Sequence, residues 1–125
     1  MNSTFTTILR ILLGLGLLVF GLNKFIGFIP IPEFPEDAGN FMESLKATGY
    51  VLPIVGFFEI FIGLLLLIKK WVPFALLLLA PITVNIVLFH LFLDLPEIWG
   101  AIVVTVINVI LIYKYWKVYR PLFQY

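Results

Sequence analysis

Cysteine is absent from the 125 residues. The chain alone therefore supplies no disulfide framework, thiol redox centre, cysteine-type zinc site or iron–sulfur cluster. Histidine occurs once. That removes a bis-histidine haem and leaves too few ligands of the usual kind for a metal site. Charge is scarce: Asp, Glu, Lys and Arg make up 12% of the chain and the net charge is +1, against roughly a quarter charged in a soluble domain. No basic run supports nucleic-acid binding, and no polar segment is long enough to fold separately in water. Also missing are a nucleophile–base pair in a recognisable setting and a glycine-rich phosphate loop after a strand.

What the sequence has instead is apolar length. Hydrophobic residues make up 62% of it, and they fall in four runs. A bilayer core of about 30 Å needs roughly 20 such residues in helix. Backbone polar groups in hydrocarbon must pair within the segment, and the runs lack the alternation of barrel strands. The expectation is an all-α, integral membrane four-helix bundle, a single domain over 1–125 with spans at about 7–29, 50–68, 72–93 and 97–116. The first run has no basic residue before Arg10 and no small-residue cleavage site, so it reads as a retained span rather than a signal peptide.

The connections add detail. Lys69-Lys70-Trp71 and Asp94 to Glu97, with Pro96, are tight turns. The longer connection, 30–49, opens with Pro30, Pro32 and Pro35, which disfavour helix. Glu36 and Asp37 then sit where a helix N-terminus favours negative charge. Phe41, Met42 and Leu45 share a face, and Gly49 can end the segment. A short amphipathic helix in the membrane interface is predicted there. Lys69, Lys70, Lys114, Lys117 and Arg120 fall on one side of the membrane. The opposite loops hold Lys46 among Glu33, Glu36, Asp37, Glu43, Asp94 and Glu97. The positive-inside rule then predicts both termini in the cytoplasm. Trp71, Trp99, Tyr50, Tyr113, Tyr115 and Trp116 fall near span ends, as in an aromatic belt.

Polar side chains at membrane depth are costly and usually face inward. They are Asn23 and Lys24 on the first predicted helix, Glu59 on the second, Asn85 and His90 on the third, and Thr105 and Asn108 on the fourth. Gly56, Glu59 and Gly63 are spaced i, i+3, i+7, so Glu59 shares a face with small residues that let another helix approach. Lys24, one turn from Gly21, is its natural partner. It reads equally well as a lysine snorkelling to headgroups, and a Glu59–Lys24 pair as structural glue. Ala80, Thr83, Val87, His90 and Asp94 follow a 3-4-3-4 spacing that carries His90 toward Asp94. His90 also fits an interfacial residue bonded to a carbonyl. Asn85 and Asn108 fit interhelical hydrogen bonds better than ligand contacts. Together these residues suggest a polar centre in the outer half, closed toward the cytoplasm by leucine layers.

GLGLLVFGLNKF (14–25), Pro30 and Pro32, FMESLKATGY (41–50), Glu59 with Gly63, and PFALLLLAPITVNIVLFHLFLD (73–94) together resemble the bacterial DoxX family of small four-helix membrane proteins over most of the chain. The resemblance implies that fold and a bacterial inner (plasma) membrane. It also implies an association with quinol oxidase, thiosulfate:quinone or other membrane oxidoreductase systems, with no established activity for many members. The family's polar motif positions fall on Asn23, Lys24, Glu59, Asn85 and His90. The leading expectation is a subunit that binds a quinone or similar lipophile at Asn23, Lys24, Glu59, Asn85, His90 and Asn108, with no catalytic motif of its own. The partners expected are membrane lipids and a membrane oxidoreductase or further copies of the chain, with no nucleic acid. The rival is a scaffold or assembly factor. A small transporter fits less well, since no inverted repeat or broken helix is evident.

Overall fold

A computed structural model describes residues 3–27 and 34–124. Pro30, Pro32 and Glu33 lie outside the described residues. The described chain is all-α: α1 Thr4–Ile26, α2 Glu36–Ala47, α3 Val51–Leu67, α4 Val72–Leu93, α5 Trp99–Lys114 and the single turn α6 Trp116–Tyr119, with 3-10 turns at Leu95–Glu97 and Arg120–Phe123. α1 packs on α3 and α4 on α5. The two pairs join through α3 on α4 and α1 on α5, so the four long helices close a ring.

The helix ends follow local chemistry. α1 starts three residues before the expected position because Ser3 caps it, its Oγ accepting the Thr6 N–H at 3.1 Å. It ends at Gly27, which takes the left-handed φ of 70° and donates to the Asn23 carbonyl at 2.9 Å. α2 lies where the amphipathic helix was expected. Ala38 is fully buried, and Phe34 and Phe41 contact Phe89 of α4 with ring centroids 5.9 and 5.7 Å apart. α2 meets α3 at an 88° bend.

Two helices, α1 and α4, are each long and apolar enough to cross a bilayer alone. Up to four spans result if the bent pairs α2–α3 and α5–α6 each count as one. The 17 residues of α3 rise about 25 Å and the 16 of α5 about 24 Å, short of the roughly 30 Å core. The expected fourth span, 97–116, is cut at both ends. A 3-10 turn occupies 95–97, and the helix breaks at Tyr115 into a tail bent by 72°.

The apolar core is lopsided. Leu13, Leu17, Ile62, Leu65, Leu66, Val72, Ala75, Leu76, Leu79, Leu111, Tyr115 and Tyr119 form one buried cluster at the end that holds the Lys69–Trp71 turn. Toward the α2 end the buried residues are instead small or polar: Gly21, Ala38, Gly56, Glu59, Asp94 and Ala101.

Candidate functional site

The contact between α1 and α3 is made by glycine on both sides. A Cβ built on Gly63 would lie 2.8 Å from the Gly14 carbonyl oxygen and 3.0 Å from the Leu18 nitrogen. One on Gly21 would lie 2.9 Å from the Gly56 carbonyl oxygen. The antiparallel helices thus meet backbone to backbone at Gly14–Gly63 and Gly21–Gly56, seven residues apart on each.

One turn C-terminal to the Gly21–Gly56 contact on each helix stand Lys24 and Glu59. Helical side chains lean toward their own N-terminus. In an antiparallel pair they therefore lean toward each other. Lys24 Nζ lies 2.6 Å from Glu59 Oε1, with side chains 27% and 5% exposed. Glu59 Oε1 is buried and has no aligned hydrogen bond, so the contact is an ion pair. It places a cation beside a carboxylate that lipid or packed side chains cannot neutralise. Asn23 precedes Lys24 on α1 and is partly buried.

The remaining candidate residues do not join this pair. His90 turns to its own helix end, with Nδ1 3.3 Å from the Asp94 carbonyl oxygen and 4.0 Å from Asp94 Oδ2. Its ring packs edge to face on Phe89 at 5.2 Å. Among the described residues no hydrogen bond or ion pair links His90 to Lys24 or Glu59. Asn85 is exposed, and its Nδ2 donates back to the Pro81 carbonyl of α4 at 2.9 Å, so it does not face the interior. Asn108 is buried, and its Nδ2 donates to the Leu76 carbonyl at 3.4 Å. That contact lies in the leucine-packed half, away from Glu59. Thr105 donates to the Ala101 carbonyl of its own helix at 2.7 Å. In place of the single polar centre expected from depth alone, Lys24 and Glu59 pair, while His90, Asn85, Asn108 and Thr105 each take a separate partner. Azimuth was legible where glycines mark the face of Glu59, whereas the depth of Asn108 and the azimuth of Asn85 were not.

No spacing in the sequence assigns Arg10 a structural role. Arg10 is buried and donates from α1 to the Leu66 carbonyl, and to the Leu67 carbonyl at 3.5 Å. These are final-turn carbonyls of α3, which lack intrahelical donors. Next to them the chain closes a Schellman turn. Lys69 takes the left-handed φ of 56° and the Lys70 N–H donates to Leu65 at 3.0 Å. A lone arginine in an apolar run, with a lysine turn at Lys69-Lys70 far along the chain, is the signal the sequence offers. Thr83 is also buried, and its Oγ1 has no hydrogen-bond partner among the described residues.

The DoxX family model matches residues 5–91. The match contains Lys24, Glu59 and His90 and stops before Asn108. No curated protein and no solved structure gives a significant match. The chain belongs to the DoxX family, and its apolar helices make it a membrane protein.

Proposed function

We propose that this protein crosses a bacterial inner membrane four times with both termini in the cytoplasm, and that its outer half binds a small lipophile of the quinone class for a membrane redox system. The Lys24–Glu59 pair, with its carboxylate buried, carries this reading. It puts a hydrogen-bond donor for a quinone carbonyl beside a buried carboxylate. It sits at membrane depth in the half where apolar side chains pack least. Electrons would come from a partner oxidoreductase, since the chain has no cysteine to form a thiol redox centre. Purified protein should bind a short-chain quinone in detergent, and Glu59→Gln and Lys24→Gln should each weaken binding at least tenfold. Unchanged binding in both variants, or none in the wild type, would overturn the reading.

The orientation rests on charge. Lys69 and Lys70 lie at the end to which Tyr119 ties the basic tail, its hydroxyl donating to the Pro73 carbonyl at 2.5 Å. The cysteine-free sequence allows a clean test: a cysteine at Glu43 should react with a membrane-impermeant maleimide in intact cells, and one at Lys117 should not. The short α3 and α5 are accommodated by the adjoining bent helices and by local thinning of the bilayer.

Asn85 favours a second reading, a scaffold or assembly factor for an oxidoreductase or for further copies of this chain. A polar side chain on an outward face within the membrane suits a protein neighbour better than lipid. Under that reading Asn85→Leu loses partner recovery and leaves quinone binding untouched.

A further inference from the structure

We infer that the end of the molecule opposite α2 binds an anionic phospholipid, taking its headgroup phosphate and the upper part of an acyl chain. The inference uses the membrane placement of the chain and is independent of the quinone reading.

Two cavities meet at Trp116. The first, open and of about 340 Å³, is lined by Tyr113, Lys114, Trp116, Lys117 and Arg120. Its lining has three cations and no carboxylate. Two lysines supply compact positive charges, and the planar arginine fork matches phosphate oxygens in pairs. The second, of about 130 Å³, is lined by Leu77, Ile112, Trp116, Tyr119, Leu122 and Phe123. Its one hydroxyl, on Tyr119, is already donated to the Pro73 carbonyl, so the surface it offers is apolar.

The backbone explains why the two adjoin. The helix breaks at Tyr115 and the tail turns by 72°. Tyr119 pins the tail to the start of α4, and the Trp116 and Phe123 rings stack 5.6 Å apart as a wall between the cavities. Leu122 and Phe123 remain 64% and 71% exposed, which suits a hydrocarbon neighbour. A soluble phosphate would use the first cavity alone, and a neutral lipid would leave its cations unmatched. A negatively charged diacyl phosphate satisfies both. The tail that carries the cations lies beyond the family match at 5–91, and of the lining residues only Leu77 falls within it.

The test uses the full chain purified in mild detergent, with bound lipid counted by native mass spectrometry after addition of phosphatidylglycerol or phosphatidylcholine. One phosphatidylglycerol should be retained in preference to phosphatidylcholine. Combined Lys114→Gln, Lys117→Gln and Arg120→Gln should weaken retention on the order of 100-fold, and Leu122→Asn should weaken it severalfold. Lys46→Gln, at the other end, and Glu59→Gln should leave it unchanged. The unfolding midpoint of each variant separates lost binding from lost fold. Should the triple variant unfold, Lys117→Gln alone, at an exposed position, should still weaken retention about fivefold. Equal retention of the two lipids, no loss in the folded basic-residue variants, or displacement by millimolar inorganic phosphate as effective as by phosphatidylglycerol would overturn the proposal.

Discussion

The two ends of this helical ring are built on different principles. At the Lys69–Trp71 end, leucines from all four long helices interdigitate around Leu66, Leu76, Leu79 and Leu111, each fully buried. Polar groups there, such as Arg10 and Asn108, serve backbone carbonyls. At the α2 end the Gly21–Gly56 contact draws α1 against α3, and an ion pair sits beside it. In a bilayer, apolar side chains gain little by leaving lipid for protein. Close backbone contact and polar pairing therefore carry the association that leucine burial would carry in water. One end is packed with leucine, and the other carries the ion pair on which the proposed function rests.

Substitutions at the two ends should therefore fail differently. The largest effect is expected from Gly63→Leu or Gly21→Leu. Each added side chain meets backbone that cannot step aside, at a cost of about 3 kcal/mol or more, read as a lower unfolding midpoint in mixed detergent. Gly16→Ala, which meets nothing within 4 Å, should leave that midpoint within a degree or two. A Gly63→Leu protein as stable as the wild type would contradict the close packing of α1 on α3.

Next comes the ion pair. Lys24→Met strands the Glu59 carboxylate, whose side chain is 5% exposed, and should cost about 2–3 kcal/mol, at or below the range for a fully enclosed pair because Lys24 reaches the surface. Glu59→Met should cost less, since the lysine can snorkel away. The Lys24→Met/Glu59→Met double variant should recover most of the loss. A double variant as unstable as the sum of the singles would mean that the two side chains do not interact.

In the packed half, Arg10→Leu removes charged hydrogen bonds to the end of α3 and should cost about 2 kcal/mol. Hydrogen exchange should show the loss around Leu66 and Leu67 before it reaches Gly56. The smallest effect belongs to Tyr119→Phe, about 1 kcal/mol for one hydrogen bond. Burial, and then the neighbouring Tyr115, push the Tyr119 phenol from 10.0 up to about 12. Tyr119 lies in the tail beyond the break at Tyr115. The folded state therefore holds this proton more tightly than the unfolded state. Its contribution is complete below pH 10 and is lost as pH rises from 10 to 12. The wild type should lose stability through that window more steeply than Tyr119→Phe.

Much of this architecture was legible in the chain. α4 occupies 72–93 as the apolar run between Trp71 and Asp94 indicates, and the acidic start and apolar face of 36–47 mark α2. The Gly56/Glu59/Gly63 spacing turned Glu59 toward α1. The tail was not legible, because its break at Tyr115 and its return to Pro73 depend on a contact 46 residues away in sequence. Nor was the azimuth of Asn85, since α4 is apolar nearly all round and no periodicity tells which of its faces meets α5.

Composition and run length by themselves determined that the chain is helical and solvated by lipid, because unpaired backbone is too costly in hydrocarbon for any other choice. The glycine heptads determined which faces of α1 and α3 could touch. Only the tertiary structure decided which polar residues meet. Side chains at similar depth pair only if their helices also present them at the same angle. That condition joins Lys24 to Glu59, turns His90 to Asp94 and sends Asn108 to a leucine carbonyl.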